Sequence, residues 1–136
     1  MLLAIDYGDR YIGLAATDVE GKISYRYGTI DQKQRNALQA IAAIVAKEHV
    51  TCVLVGIPRN LQGEETEQTR KTQAFASRLR KKLDLSVEIV EVDETLTSIA
   101  AQQVLQYEGG TKEAEHSEAA RLLLVEYLTH QKRQSL

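Results

Sequence analysis

The stretch TCVLVGIP, residues 51–58, constrains the fold more than any other part of the chain. It is apolar and β-branched without alternation, and it stops at Pro58, which cannot donate to a sheet ladder. A run of this kind belongs to a strand buried on both faces, which requires parallel neighbours and a covering layer on either side. The chain is therefore expected to be an α/β protein, with helices on both faces of its sheet. At 136 residues it fits a single domain, residues 1–136, large enough to bury roughly two-thirds of its unfolded surface.

The remaining elements fall around that strand. Residues 2–6, 11–17 and 22–30 read as strands joined by the short turns YGDR and VEGK, which suits an antiparallel meander. QRNALQAIAAIVAKEH places Leu38, Ile41, Ala42 and Val45 on one side at helical spacing. Residues 64–83 form a second helix with Phe75, Leu79 and Leu83 four apart, and VEIVEVD is a fifth strand. Helices over 96–108 and 117–131 close the chain, the last with Ala120, Leu123, Leu124, Tyr127 and Leu128 as its apolar stripe. YEGGTKEAEH between them has the composition of a loop. The order βββαβαβαα predicts a mixed five-stranded sheet with helices on both faces.

Composition excludes several classes. With 43% hydrophobic and 26% charged residues the chain is an ordinary globule. No run approaches the ~18 apolar residues of a membrane span, and no signal-like N-terminus is present, so a cytoplasmic protein without a membrane partner is expected. Cys52, the single cysteine, sits in the apolar run and reads as a small buried hydrophobe. The net charge of −2 argues against nonspecific coating of nucleic acid, yet RKTQAFASRLRKKL carries Arg70, Lys71, Arg78, Arg80, Lys81 and Lys82 with no acid among them. A solvated helix face is the simpler reading of that run from charge alone.

In sheets of this order ligands sit beyond the carboxyl ends of the parallel strands. Asp6 ends the first strand, Gly56 the fourth, and Asp93 with Glu94 the fifth, so acids converge on one edge. Crowded carboxylates repel, and a hard divalent cation, Mg²⁺ or Mn²⁺, relieves the repulsion. The plainer alternative has Glu94 or Asp93 capping the next helix and Asp6 satisfying turn amides. Tyr7, Tyr11, Tyr25 and Tyr27 on the opening strands suit packing or stacking on bases.

The segments AIDYGDRYIGLAATD, VLVGIPRNLQGEE, VDETLTS and AARLLLVEYL, in that order over nearly the whole chain, resemble the YqgF family, described as Holliday-junction resolvases and as pre-16S rRNA nucleases. The resemblance implies an RNase H-like fold and a divalent-metal site built from acids of the first strand, of the D-E pair and of the last helix. Carried over, these are Asp6 and Glu94, with His116 standing where the family usually has Asp and Thr95 where it usually has Arg. Gly8, Gly13, Gly56, Pro58, Asn60 and Gly63 match family positions. Imidazole can ligate Mn²⁺ or carry a proton. Glu118 then reads as a first-turn acid behind Ser117 as N-cap.

The resulting expectation is a metal-dependent phosphodiesterase acting on structured RNA or branched DNA. Asp6, Glu94 and His116 form its catalytic and metal-binding set, and Arg10, Arg59, Asn60, Arg78 and Lys82 hold the nucleic acid. Processing of the 5′ end of pre-16S rRNA is the leading task, with Holliday-junction resolution as the alternative and a catalytically weakened binding module as a reading from another class. The chain is expected to be a monomer or a homodimer. IDYG also resembles the phosphate loop of sugar kinases and actin, but that architecture needs two lobes.

Overall fold

The computed structural model describes residues 1–93 and 111–135. Five strands form one sheet: β1 (Leu2–Tyr7), β2 (Tyr11–Thr17), β3 (Ser24–Asp31), β4 (Cys52–Ile57) and β5 (Glu88–Asp93), in the order β3-β2-β1-β4-β5. β1, β2 and β3 make the expected antiparallel meander, and β4 and β5 extend it in parallel. Every residue of β4 is buried, as its unbroken apolar run requires. The helices are α1 (Ala37–Glu48), α2 (Glu67–Lys82) and α3 (Lys112–Ser135). The helix expected over 96–108 lies outside the described residues.

Strand alternation divides the core. Leu3, Ile5, Leu14, Ala16, Val53 and Val55 face α1 and α2, packing on Ile41, Val45, Phe75 and Leu79. Ala4, Ala15, Cys52 and Leu54 face α3, meeting Ala120, Leu123 and Leu124. The stripes read from the sequence are thus the buried faces. Tyr7 stacks on Phe75 with ring centroids 4.5 Å apart and Tyr27 packs on the same cluster, so both are packing residues.

The last helix corrects the sequence reading. It begins at Lys112, so the second half of the expected loop is helical, and Ser117 lies inside the helix. Thr111 does the capping: its Oγ1 accepts from the Ala114 N–H at 3.2 Å. Ser117 is buried and donates its hydroxyl to the Ala114 carbonyl. TKEAEHSEAA holds two residues able to cap a helix, and the earlier one wins because the turn it starts continues unbroken into the apolar stripe.

Small residues let α3 come close to the sheet. A Cβ at Gly13 would lie 2.1 Å from both the carbonyl carbon and the oxygen of His116, and one at Gly8 would lie 2.8 Å from His116 Cε1. Gly13→Ala is expected to push the helix outward and to destabilise the protein by about 1–3 kcal/mol, the usual cost of overpacking, measured by urea unfolding. At the other end of the molecule α1 closes on His49, an exposed residue at φ 54°, ψ 48°, in the left-handed region that glycine occupies at no steric cost. His49→Gly is expected to raise stability by roughly 0.5–1 kcal/mol, read as a higher melting temperature.

Candidate functional site

Asp6 is the last buried residue of β1, 5% exposed, and strand alternation points it to the α3 side, away from the larger core. Its register partner on β2 is Gly13. Where a side chain would stand on that partner, the backbone of His116 takes the space, so the imidazole comes down onto the carboxylate. His116 Nδ1 and Asp6 Oδ2 are 2.7 Å apart. A carboxylate oxygen accepts, so Nδ1 carries a proton, and in the neutral imidazole Nε2 keeps the lone pair. Among the described residues no hydrogen bond reaches the second oxygen of Asp6. A buried carboxylate with one oxygen left over is costly unless a cation or donor meets it.

The aromatic ring of Tyr11 lies 6.4 Å from the imidazole, and Arg10 stacks over that ring with its guanidinium carbon 4.9 Å from the centroid. Arg10 is held there by Asp31, at 3.3 and 3.2 Å, and this hydrogen bonding keeps the Asp31 carboxyl below the ordinary carboxylate range. Arg10 therefore flanks the Asp6–His116 pair. Gln32 donates to the carbonyls of Gly8 and Asp9, and Gln68 to that of Tyr7, which pins the β1–β2 turn from two sides. Neither glutamine stands out in the sequence, because a turn clamp from a distant residue leaves no local pattern.

The expected convergence on the carboxyl edge holds for the described part. β4 ends beside β1, with Val55 paired to Ile5, and Ile57 pairs with Asp93 at the end of β5. Arg59, Asp93, Ile57, Gln73, Glu91 and Val92 line a cleft of about 180 Å³ there. Glu94 and Thr95 lie outside the described residues. Among the described residues no three His, Cys, Asp or Glu side chains gather as a metal site, and Asp6 with His116 is the pair the structure brings together.

The expected nucleic-acid contacts separate into two groups. Arg59 stands on the edge, 3.9 Å from Glu65, while the Asn60 side chain shapes its own loop, accepting from the N–H groups of Gln62 and Glu64. α2 starts at this edge, where Thr69 Oγ1 donates to the Pro58 carbonyl and Lys71 reaches Asp9 at 3.5 Å. Asp9 and Glu67 push the Lys71 ammonium pKa up. Arg78 and Lys82 are exposed but lie roughly 15 and 21 Å beyond Gln68 along the helix, at about 1.5 Å per residue.

Glu118, expected as a first-turn acid, lies beyond the first turn of a helix that starts at Lys112. It is 1% exposed, gripped by Arg121 through both carboxylate oxygens and by Arg26 of β3 at 3.1 Å. An acid this deep requires charge partners. Its nearer partner, Arg121, stands one turn along the same helix, a spacing visible in the sequence.

Among the described residues no helix is long and apolar enough to cross a membrane. A protein of Fusobacterium nucleatum named "Putative pre-16S rRNA nuclease" is 36% identical over 104 residues, covering 76% of this chain and 75% of that protein. A protein of the same name from Maridesulfovibrio salexigens is 33% identical over 132 residues, covering 93% of this chain and 96% of its own length. Among solved structures, T. thermophilus RuvC in complex with a Holliday junction substrate superposes with a TM-score of 0.60 at 13% identity, over 96% of this chain and 95% of that one, a likeness that shows the RNase H-like fold. The RuvX family, described as Holliday junction resolvase, matches residues 1–130, and with relatives at this level of identity over most of their length the chain belongs to that family.

Proposed function

We propose that this chain is a nuclease that hydrolyses phosphodiester bonds in structured nucleic acid, and that its task is 5′-end processing of pre-16S rRNA, as the names of its relatives suggest. The observation that carries the reading is the Asp6–His116 pair, a buried carboxylate and an imidazole in contact on the edge where such folds bind ligands. The family's description gives branched DNA as the second substrate class. A cytoplasmic location follows from either substrate.

The residues suit a divalent cation. The Asp6 oxygen that no hydrogen bond reaches among the described residues is a hard donor, the lone pair of a neutral His116 Nε2 suits Mn²⁺ better than Mg²⁺, and Glu94 is the third donor in this proposal. Bound there, the ion supplies Lewis-acid polarisation of the phosphate and an attacking water of lowered pKa. Asp6 fixes the imidazole in the tautomer that presents Nε2, so that in the alternative role, with Nε2 not given to an ion, His116 would accept the proton of the attacking water. Arg10, stacked and ion-paired, offers charge beside the scissile phosphate without having to reorganise.

Asp6→Asn keeps the shape and loses the anion. It is expected to lower metal-dependent cleavage at least about 10²-fold, on an rRNA precursor or on a four-way junction, with the thermal melt unchanged. Equal cleavage by wild type and Asp6→Asn would falsify the catalytic reading, and binding without cleavage by both would leave a binding module. Arg78 and Lys82 are tested separately. If they contact backbone, the double charge reversal Arg78→Glu, Lys82→Glu weakens binding equally across sequences and lowers the salt slope by about 2. An unchanged slope in fluorescence titrations assigns both to solvation.

A further inference from the structure

Glu118 is a buried charge that the proposed chemistry does not use. It is 1% exposed and shares its carboxylate between Arg26 and Arg121. Stability does not explain it, because buried ion clusters can often be replaced by apolar residues of similar volume without loss, and their better attested use is to fix one arrangement. What Glu118 fixes follows from where its two partners stand. Arg121 is on α3 itself, so that bond travels with the helix. Arg26 is on β3, where it pairs with Ala15, so its bond of 3.1 Å joins the helix to the sheet.

The direction of that joint matters. α3 lies over β2, with Gly13 beneath His116 and Ala15 beneath the apolar stripe. β1 runs along one flank and β3 along the other, as the strand order requires. At about 3.6 residues per turn, His116 and Glu118 project about 200° apart around the helix axis. His116 therefore reaches Asp6 of β1 on one flank, and Glu118 reaches Arg26 of β3 on the other. The floor between them is glycine and alanine, and apolar burial on so small a relief is non-directional, so it does little to stop the helix rolling. A roll about the axis lifts the imidazole off the carboxylate, and the bond on the far flank opposes it.

We infer that Glu118 is a positioning residue: through Arg26 it holds the rotation of α3 and thereby keeps His116 on Asp6. The inference rests on the reading of His116 as part of the site, so its first test uses neither nucleic acid nor metal. The readout is the pair of ring-nitrogen NMR shifts of His116, which show which nitrogen carries the proton. They are taken in EDTA and in alkaline buffer, where the imidazole is neutral.

Wild type is expected to show the proton on Nδ1, held by Asp6. Glu118→Leu melts at or above the wild-type temperature, because both arginines, with side chains 41% and 31% exposed, turn to water, yet its imidazole gives the mixed shifts of a free ring. Arg26→Leu gives the same mixed shifts. Arg121→Leu takes a guanidinium from the same carboxylate but leaves the joint to β3, and it keeps the proton on Nδ1. Glu118→Gln keeps it too, since the amide oxygen still accepts from Arg26. If Glu118→Leu keeps the wild-type shifts, or if Arg26→Leu and Arg121→Leu behave alike, Glu118 is a structural charge only and the inference is wrong. Cleavage of the rRNA precursor or the four-way junction is the separate arm: kcat of Glu118→Leu falls at least about tenfold with KM unchanged. Loss of the Nδ1 proton with wild-type cleavage supports the positioning and overturns the use of His116 in the chemistry.

Discussion

The structure turns on the absence of one methylene-sized object. Asp6 and Gly13 face each other across β1 and β2, and the space over Gly13 is filled by the backbone of His116. Any side chain there would hold α3 away from the sheet, and the imidazole would no longer reach the carboxylate. The small residues Ala4 and Ala15 extend the same close approach along the helix. Packing and chemistry are therefore one constraint: the contact that closes this face of the core also sets the 2.7 Å between Asp6 and His116.

Close approach fixes the height of α3 over the sheet but leaves its position along the axis to be set by something directional. The Arg26–Glu118 pair provides such a link, because Arg26 belongs to β3 and ties the carboxylate to the sheet, while Arg121, on the same helix, shares its charge. Buried ion clusters contribute little net stability compared with apolar packing of the same volume, and their attested use is to specify register. Glu118 lies two residues beyond His116, so a helix locked at Glu118 delivers the imidazole to a defined place. A leucine at that position would bury well and would discriminate less between neighbouring registers.

How much of this was legible depended on whether the signal was local. β4 announced itself by an unbroken apolar run, and the apolar stripes of α1 and α2 by their spacing, since burial on one face writes itself into consecutive residues. Asp6 was legible as an acid ending an apolar strand. Its partner, His116, was placed with it only through the family resemblance, because the two residues are 110 apart and meet through helix packing that leaves no local pattern. The start of α3 was misread where two capping residues competed, and Glu118 was put in the first turn as a result, while the Arg26 that covers it comes from a distant strand and leaves no mark beside it in the sequence. Gly13 was visible as a glycine, but the reason for it exists only in three dimensions.

The two halves of the proposed activity sit on different sides of the sheet. The Asp6–His116 pair faces α3, while the cationic run lies on α2, across the sheet, and the two approach each other only at the carboxyl edge. A chain of net charge −2 has no broad field to hold a polyanion, so attraction is local to its cations and screened within about a Debye length, near 8 Å at physiological salt. A ligand held only on α2 stays out of reach of the carboxylate, and one over the α3 face does not meet the run on α2. In the proposed activity, a ligand that meets both passes over the carboxyl edge by Lys71 and Arg59.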